Sequence, residues 1–582
     1  MAVSIPTDFI PADLDATRWE NIEPLLDELR DRPVETADEL EQWLIDRGEL
    51  AAACSETQAN LYISMSCDTG DKGKSQAYLS FIETIPPKLK PRFFELDQRQ
   101  VELARRFNLP RDRYEVLDRD TAAEVEIFRP ENVPLETQLA KLAQQHSEIT
   151  GAMTVEFRGE EKTLPQMVVF QQATDRATRE EAWRLVSERR LRDADKLDDI
   201  YDRMIALRDQ VARNAGFENY IGYTFKHMHR FDYTPEDCRK FHDACEQVVV
   251  PFMRRLDARR RERLGVQTLR PWDLAVDELG REPLRPFSGG VELVSKTHAA
   301  MGALDPRLAE MFTRLGDGSS SRGAEGGALL DLDSRKGKAP GGYQYMRDRS
   351  RRPFIFMNAA GIHRDVETMV HEAGHAFHSM LCEGDPLLHY RHSPIEFAEV
   401  ASMGMELLSM PHWGAAGSFY EDPAKLARAQ SEHLEQSVGV LPWIATIDAF
   451  QHWIYANPAH TREQRTARWL ELDDRFGHAV DWSGLEPLRQ RAWQRQLHLF
   501  SHAFYYIEYG IAQLGALQLW IRGLEQGEAA AVDGYMQALS LGGSRPLPEL
   551  FEAAGLRFDF GPEMMGRLVD RVEAELAKME QA

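Results

Sequence analysis

Two histidines four residues apart with a glutamate between them, His371-Glu372-Ala373-Gly374-His375, are the groups in this chain whose spacing could do chemistry. On a helix, side chains at i and i+4 lie one turn apart on one face, so both imidazoles can reach a single ion. Glu372 is rotated off that face, and its carboxylate is free to act as a base toward a water at the ion. That is the arrangement of a zinc peptidase. Met369, Val370, Ala373, Ala376 and Phe377 make the helix largely apolar and confine the polar groups to His371, Glu372, His375 and His378. Polar side chains in such surroundings need partners, which favours a site over chance.

A catalytic zinc usually takes three protein ligands and leaves one position open to water. A metzincin would carry Gly at 378 and His at 381; His378 and Leu381 stand there, which excludes that subclass. Downstream, Ser393-Pro394-Ile395-Glu396-Phe397-Ala398-Glu399-Val400-Ala401-Ser402 reads as another helix. Ser393 is placed as N-cap, Pro394 at the first helical position and Glu396 as a capping-box glutamate. Glu399, one turn further in between apolar neighbours, has no such local duty and is the better third ligand. Glu406 follows on the same face and could accept a hydrogen bond from a ligand imidazole. His389 and His392 compete as ligands but sit in a loop, where side chains are less well fixed.

The elements that must hold these residues come from a chain of 582 residues, 28% charged and 43% hydrophobic, which is ordinary for a soluble globular protein. Its net charge of −24 argues against nucleic acid or an anionic membrane as partner. The basic run Arg259-Arg260-Arg261-Glu262-Arg263 reads as a solvated helix face. Met1 to Asp8 lacks the pattern of a secretory signal, and no apolar run approaches the roughly 20 residues of a membrane span. Five cysteines without a C-x-x-C pair suggest free thiols in a reducing cytoplasm.

From Leu14 to about Thr150 the apolar spacing is helical, broken at Pro33, Gly48, Thr69-Gly70-Asp71 and Pro86-Pro87, and Thr36 with Glu39 forms a capping box. Met153 to Phe157 turns at Arg158-Gly159 and returns through Lys162 to Leu164 as a small hairpin. A boundary near 190 divides the chain into an N-terminal helical domain, 1–190, and a catalytic domain, 191–582. Gly316 to Gly342, with Gly326-Gly327 and Lys336-Gly337-Lys338-Ala339-Pro340-Gly341-Gly342, contains no intact phosphate-binding loop and reads as a mobile loop beside the site. Pro353 to Asn358 then gives a strand signal. The small residues after it make Asn358, Ala359, Ala360 and Gly361 candidates for an edge on which an extended substrate could pair.

A second polar constellation lies near the end, His498-Leu499-Phe500-Ser501-His502-Ala503-Phe504-Tyr505-Tyr506-Ile507-Glu508-Tyr509-Gly510. On one helix His498, His502, Tyr505 and Tyr509 fall near one face. Imidazole and phenol donors there could stabilise the oxyanion of amide hydrolysis.

Taken together, Pro353-Phe354-Ile355-Phe356-Met357-Asn358, the His371–His375 motif, Glu396-Phe397-Ala398-Glu399-Val400-Ala401-Ser402 and the His498–Gly510 stretch resemble the oligoendopeptidase F branch of the thimet-oligopeptidase family of zinc metallopeptidases. The resemblance runs from about residue 150 onward. It implies a mostly α fold with a small β-sheet beside the active-site helix, in two parts around a deep channel that admits unstructured oligopeptides. It implies one Zn2+ per chain on His371, His375 and Glu399, Glu372 as general base, and His498 with Tyr505 or Tyr509 as transition-state donors, Tyr506 competing. A cytoplasmic monomer or homodimer cutting internal bonds of oligopeptides is the expected protein. The alternatives are a zinc exopeptidase, and a non-catalytic protein whose structural zinc takes His378 or His389 as fourth ligand.

Overall fold

Helix starts follow their capping chemistry. In a computed structural model that describes residues 9–319, 328–335, 337–339 and 341–581, Thr36 accepts from the Glu39 amide and Glu39 returns the bond, opening the helix Ala37–Cys67. Thr234 and Asp237 do the same for Pro235–Ala244, with Pro235 at the first position. Met1 to Asp8, Gly326-Gly327, Lys336 and Pro340 lie outside the described residues. Gly48 does not break a helix. It sits inside Ala37–Cys67, where an added Cβ would lie 3.4 Å from Leu388 Cβ, so it is small for packing.

Two hydrophobic cores account for most of the buried apolar surface. The larger gathers residues from Leu142 to Leu576, and the second gathers Ile10 to Leu117 with Leu387 and Tyr390. Polar ties join them: Tyr390 donates to the Arg113 carbonyl at 2.5 Å, and Glu49 accepts from Arg351 and Arg391, each at 3.0 Å. Position 190 falls just before the turn between the helices Arg176–Leu191 and Ala194–Asn214.

The hairpin is formed by β1, Thr154–Phe157, and β2, Glu160–Thr163, with Phe157 opposite Glu160. Arg158 and Gly159 both have positive φ, as a tight two-residue turn matching strand twist requires. The second sheet comprises β3, Leu330–Asp333, β4, Tyr343–Arg347, and β5, Arg352–Ala359, in the order β3-β5-β4. β5 pairs parallel with β3 and antiparallel with β4. It is therefore the central strand, and the expectation that it offers a free edge is corrected. Asn358 donates to the Ala339 and Gly341 carbonyls at 2.7 and 2.9 Å, Ala359 pairs with Asp333, and the Ala360 amide donates to Asp365 at 2.8 Å. Gly361 has φ +80° and lies where a Cβ would be 2.8 Å from the Phe287 carbonyl. Small residues here serve the turn into the next helix rather than a visiting backbone. The described part of the preceding loop is also pinned, since Lys338 is buried on Asp331 at 2.8 Å and the Ala339 amide donates to Ser66.

That next helix, His363–Leu381, carries the paired histidines; Ile395–Ser409 carries Glu399 and Glu406. They cross at Gly374, where a Cβ would lie 2.4 Å from the Ala401 carbonyl oxygen and 2.7 Å from Ser402 Cα. Only a glycine allows this approach. The glutamate helix packs in turn on Tyr506–Gln526, where a Cβ at Gly515 would meet Val400 at 2.9 Å. We predict that Gly374→Ala destabilises the protein by about 1–3 kcal/mol or more, the usual cost of overpacking. Gly439→Ala, in the helix Pro423–Ala456 with nothing within 4 Å of the added carbon, should be neutral or stabilising. Denaturant midpoints of the two variants test this, and equal shifts would refute it.

Candidate metal centre and active site

One ligand atom each from His371, His375 and Glu399 lies within 4.8 Å of the others. His371 Nε2 is 3.5 Å and His375 Nε2 3.6 Å from Glu399 Oε2. The remaining ring nitrogens are committed elsewhere: His371 Nδ1 meets Glu406 Oε1 at 2.6 Å, and the Ala398 carbonyl accepts from His375. Each imidazole thereby turns its Nε2 lone pair inward, as metal-ligating histidines require. Glu399 is held from both sides, by Tyr505 at 3.1 Å on Oε1 and Ser402 at 2.9 Å on Oε2. Burial pushes the His375 imidazole down to about 4, so it is a neutral donor. Against the same burial, Glu406 and Glu399 push His371 up to about 9, which marks a place that favours positive charge. Two imidazoles and a carboxylate converging in such a field suit a divalent ion of the zinc type.

Glu372 stands apart from that convergence. It is buried, its Oε2 has no hydrogen-bond partner, and burial pushes its carboxyl up to about 7. The Gln344 amide of β4 favours its ionised form. A Cβ on Gly342 would lie 3.8 Å from Glu372 Oε1, so a glycine leaves room around this carboxylate.

Behind His371 a buried chain of acids and imidazoles continues. Glu406 Oε2 lies 3.6 Å from His433 Nε2, His433 Nδ1 meets Glu367 at 3.1 Å, Glu367 lies 3.5 Å from His363, and His363 meets Tyr420 at 2.7 Å. Glu406 was expected; His433, Glu367, His363 and Tyr420 were not. The four-residue step that links His371 to His375 continues backward to Glu367 and His363, a signal present in the sequence.

Three readings are corrected. Glu396 does not cap its helix, whose N-cap is Pro394 without a side-chain bond. Glu396 is buried, accepts from Tyr233 at 2.6 Å and faces Arg230, which itself holds Glu508 at 2.7 Å. Burial outweighed capping. The His498–Tyr509 stretch is two helices, Leu497–Ser501 and Tyr506–Gln526, broken where Phe504 has φ +64°. The His498 ring nonetheless lies 5.6, 5.1 and 5.8 Å from the rings of Tyr505, Tyr506 and Tyr509. The arginine run is not simply solvated: Arg259 and Arg263 pair with Glu278 and Glu580 on a cavity wall.

His389 and His392 are bound by Asp120 at 3.0 Å and Asp348 at 2.8 Å, and neither they nor His378 join the three converging side chains among the described residues. The state of His498 follows from a neighbour the sequence did not single out. Trp443 Nε1 donates to Gln496 Oε1 at 3.0 Å, which turns the Gln496 amide NH2 toward His498 Nδ1 at 2.7 Å. His498 Nδ1 then accepts, its proton sits on Nε2, and burial holds the imidazole neutral with its pKa down to about 4. Glu406, His433, His498, Tyr506 and Tyr509 line a cavity of about 1480 Å³ with His371.

Comparison with known proteins points to a peptidase. The profile of Peptidase family M3 matches residues 169–566, more than half of the chain. An oligoendopeptidase F homolog of Borreliella burgdorferi is 26% identical over 207 residues, 34% of this chain and 34% of its own length, so the match spans about a third of that relative. PZ peptidase A, solved with an inhibitor, superposes with TM-score 0.87 at 27% identity, covering 98% of this chain and 99% of its own. A Bacillus anthracis (strain Ames) structure assigned as an oligoendopeptidase F gives TM-score 0.82 at 25% identity over 97% of both chains. The chain belongs to peptidase family M3.

If the three side chains hold a divalent ion and Glu406 orients His371, Glu406→Gln should weaken affinity for that ion about 10–100-fold, the usual effect of losing such a partner. Chelator competition measures this. Unchanged affinity would show that Glu406 only fills space.

Proposed function

We propose that the protein is a zinc-dependent endopeptidase acting on short unstructured oligopeptides. The observation that carries this reading is the convergence of His371, His375 and Glu399 within 4.8 Å beside the unpartnered oxygen of buried Glu372. An ion held by those three side chains supplies Lewis acidity, polarising the scissile carbonyl and lowering the pKa of water toward neutrality. Glu372 Oε2 takes the proton of the attacking water and delivers it to the departing amine nitrogen. His498 Nε2–H and the Tyr509 hydroxyl, both on the cavity wall, donate to the developing oxyanion. Tyr505 steadies Glu399 through its bond at 3.1 Å and is the second phenol within reach. Tyr506 is drawn toward Trp443 and Gln496, which argues against it as the donor.

The substrate backbone has a place to pair that does not involve β5. β4 lies at the edge of the sheet, and its Gln344 amide faces Glu372. An extended peptide added there as a strand would bring its carbonyl past the base. The cavity, at about 1480 Å³, exceeds the roughly 300–1,000 Å³ of small-ligand pockets, which suits a peptide beside His371 and His498. No helix among the described residues is long and apolar enough to cross a membrane, and all five cysteines are buried and free, in keeping with a reducing cytoplasm.

Glu372→Gln should retain zinc while kcat falls about 10²–10⁴-fold, the range of general acid–base contributions. Full turnover in that variant would remove Glu372 from the mechanism. Tyr509→Phe should lower kcat about 10²-fold with little change in KM. Cleavage of a quenched peptide blocked at both ends, abolished by chelation and restored by zinc, tests the endopeptidase reading; an enzyme that cuts only free-ended peptides is an exopeptidase.

A further inference from the structure

Away from the active centre, two helices present a second set of metal-binding side chains to each other. Cys238 and His242 are four residues apart on Pro235–Ala244, and Asp448 and His452 are four apart on Pro423–Ala456. One ligand atom each from Cys238, Asp448 and His452 lies within 4.8 Å of the others. Cys238 is 1% exposed and Asp448 fully buried. His242 Nε2 meets Asp448 Oδ2 at 2.7 Å and fixes the carboxylate, while Asp448 Oδ1 has no hydrogen-bond partner. His452 Nε2 is buried and lies 3.4 Å from Asp448 Oδ2, a long contact. A buried carboxylate oxygen without a partner costs stability unless a cation or donor meets it.

We infer that Cys238, Asp448 and His452 form a second, structural site for a divalent cation of the zinc type, with His242 positioning Asp448. Thiolate, imidazole and carboxylate are a zinc donor set, and two anionic ligands neutralise a dication in a place that admits no net charge cheaply. On binding, the Cys238 S–H bond is exchanged for an S–metal bond and the proton leaves to solvent, with no change of oxidation state. The site would brace the catalytic segment from behind. The His452 ring packs on Phe504 at 5.1 Å, and the neighbouring Gln451 accepts from the Phe504 amide at 2.7 Å, at the break between His498 and Tyr505.

The test uses the full chain, loaded with zinc and then desalted over a chelating resin. Elemental analysis should give two zinc ions per chain, and the double variant His371→Ala/His375→Ala should keep one. Replacing zinc by Co2+ should produce a thiolate-to-cobalt charge-transfer band in the near ultraviolet. The histidine–glutamate centre cannot produce that band, because it has no sulfur. The band should persist in the double histidine variant and vanish in Cys238→Ser, with Asp448→Asn losing the second ion as a check on a misfolded serine variant. A wild-type cobalt protein without the band would overturn the second site, and this measurement needs no variant. Loss of all metal in the double histidine variant would overturn it as well. A double histidine variant that keeps two ions would instead count against the catalytic centre alone.

Discussion

The close crossing of two helices at Gly374 is the constraint on which the candidate metal centre depends. The paired imidazoles belong to one helix and Glu399 to another, and their atoms meet because the backbone of Ala401 and Ser402 comes within reach of a missing Cβ. A side chain at 374 would overlap the backbone of Ala401 and Ser402 and force the helices, with their converging side chains, apart. The glycine between the histidines is thus part of the geometry as much as they are.

Around that crossing the polar groups are satisfied in layers. Each inward Nε2 has its orientation set by the other ring nitrogen, on Glu406 or on the Ala398 carbonyl. Glu406 continues through His433 to Glu367 and His363, so charge near His371 is shared along a buried line of alternating acids and imidazoles. Such a network limits the arrangements its side chains can take. Glu372 Oε2, buried and without a hydrogen-bond partner, is free to carry a proton.

The tyrosine segment shows tertiary packing overriding local preference. A single helix from His498 to Tyr509 would set the rings on one stripe; the chain instead turns at Phe504 with positive φ. Bonds from the Phe504 amide to Gln451 and from Arg230 to the Phe504 carbonyl stabilise that turn. The break brings Tyr505 back toward Glu399 while His498 stays oriented by Gln496.

Much of the centre was legible in the letters. The spacing His371–His375, the position of Glu372 off that face, and Glu399 one turn past a helix start follow from the 3.6-residue period alone. The capping residue Thr36 announced a helix start because its bonds are local. What the sequence left open depended on partners distant in the chain. β5 became a central strand because β3, which precedes it by more than twenty residues, pairs on its far side. Glu396 left the cap for Tyr233, and Gly48 became a packing contact for Leu388 rather than a break. His433 and Trp443 entered the site from the helix Pro423–Ala456. Local periodicity fixes which face a side chain occupies, but only the packed structure decides what that face meets, since burial and hydrogen-bond satisfaction are settled between segments and not within them.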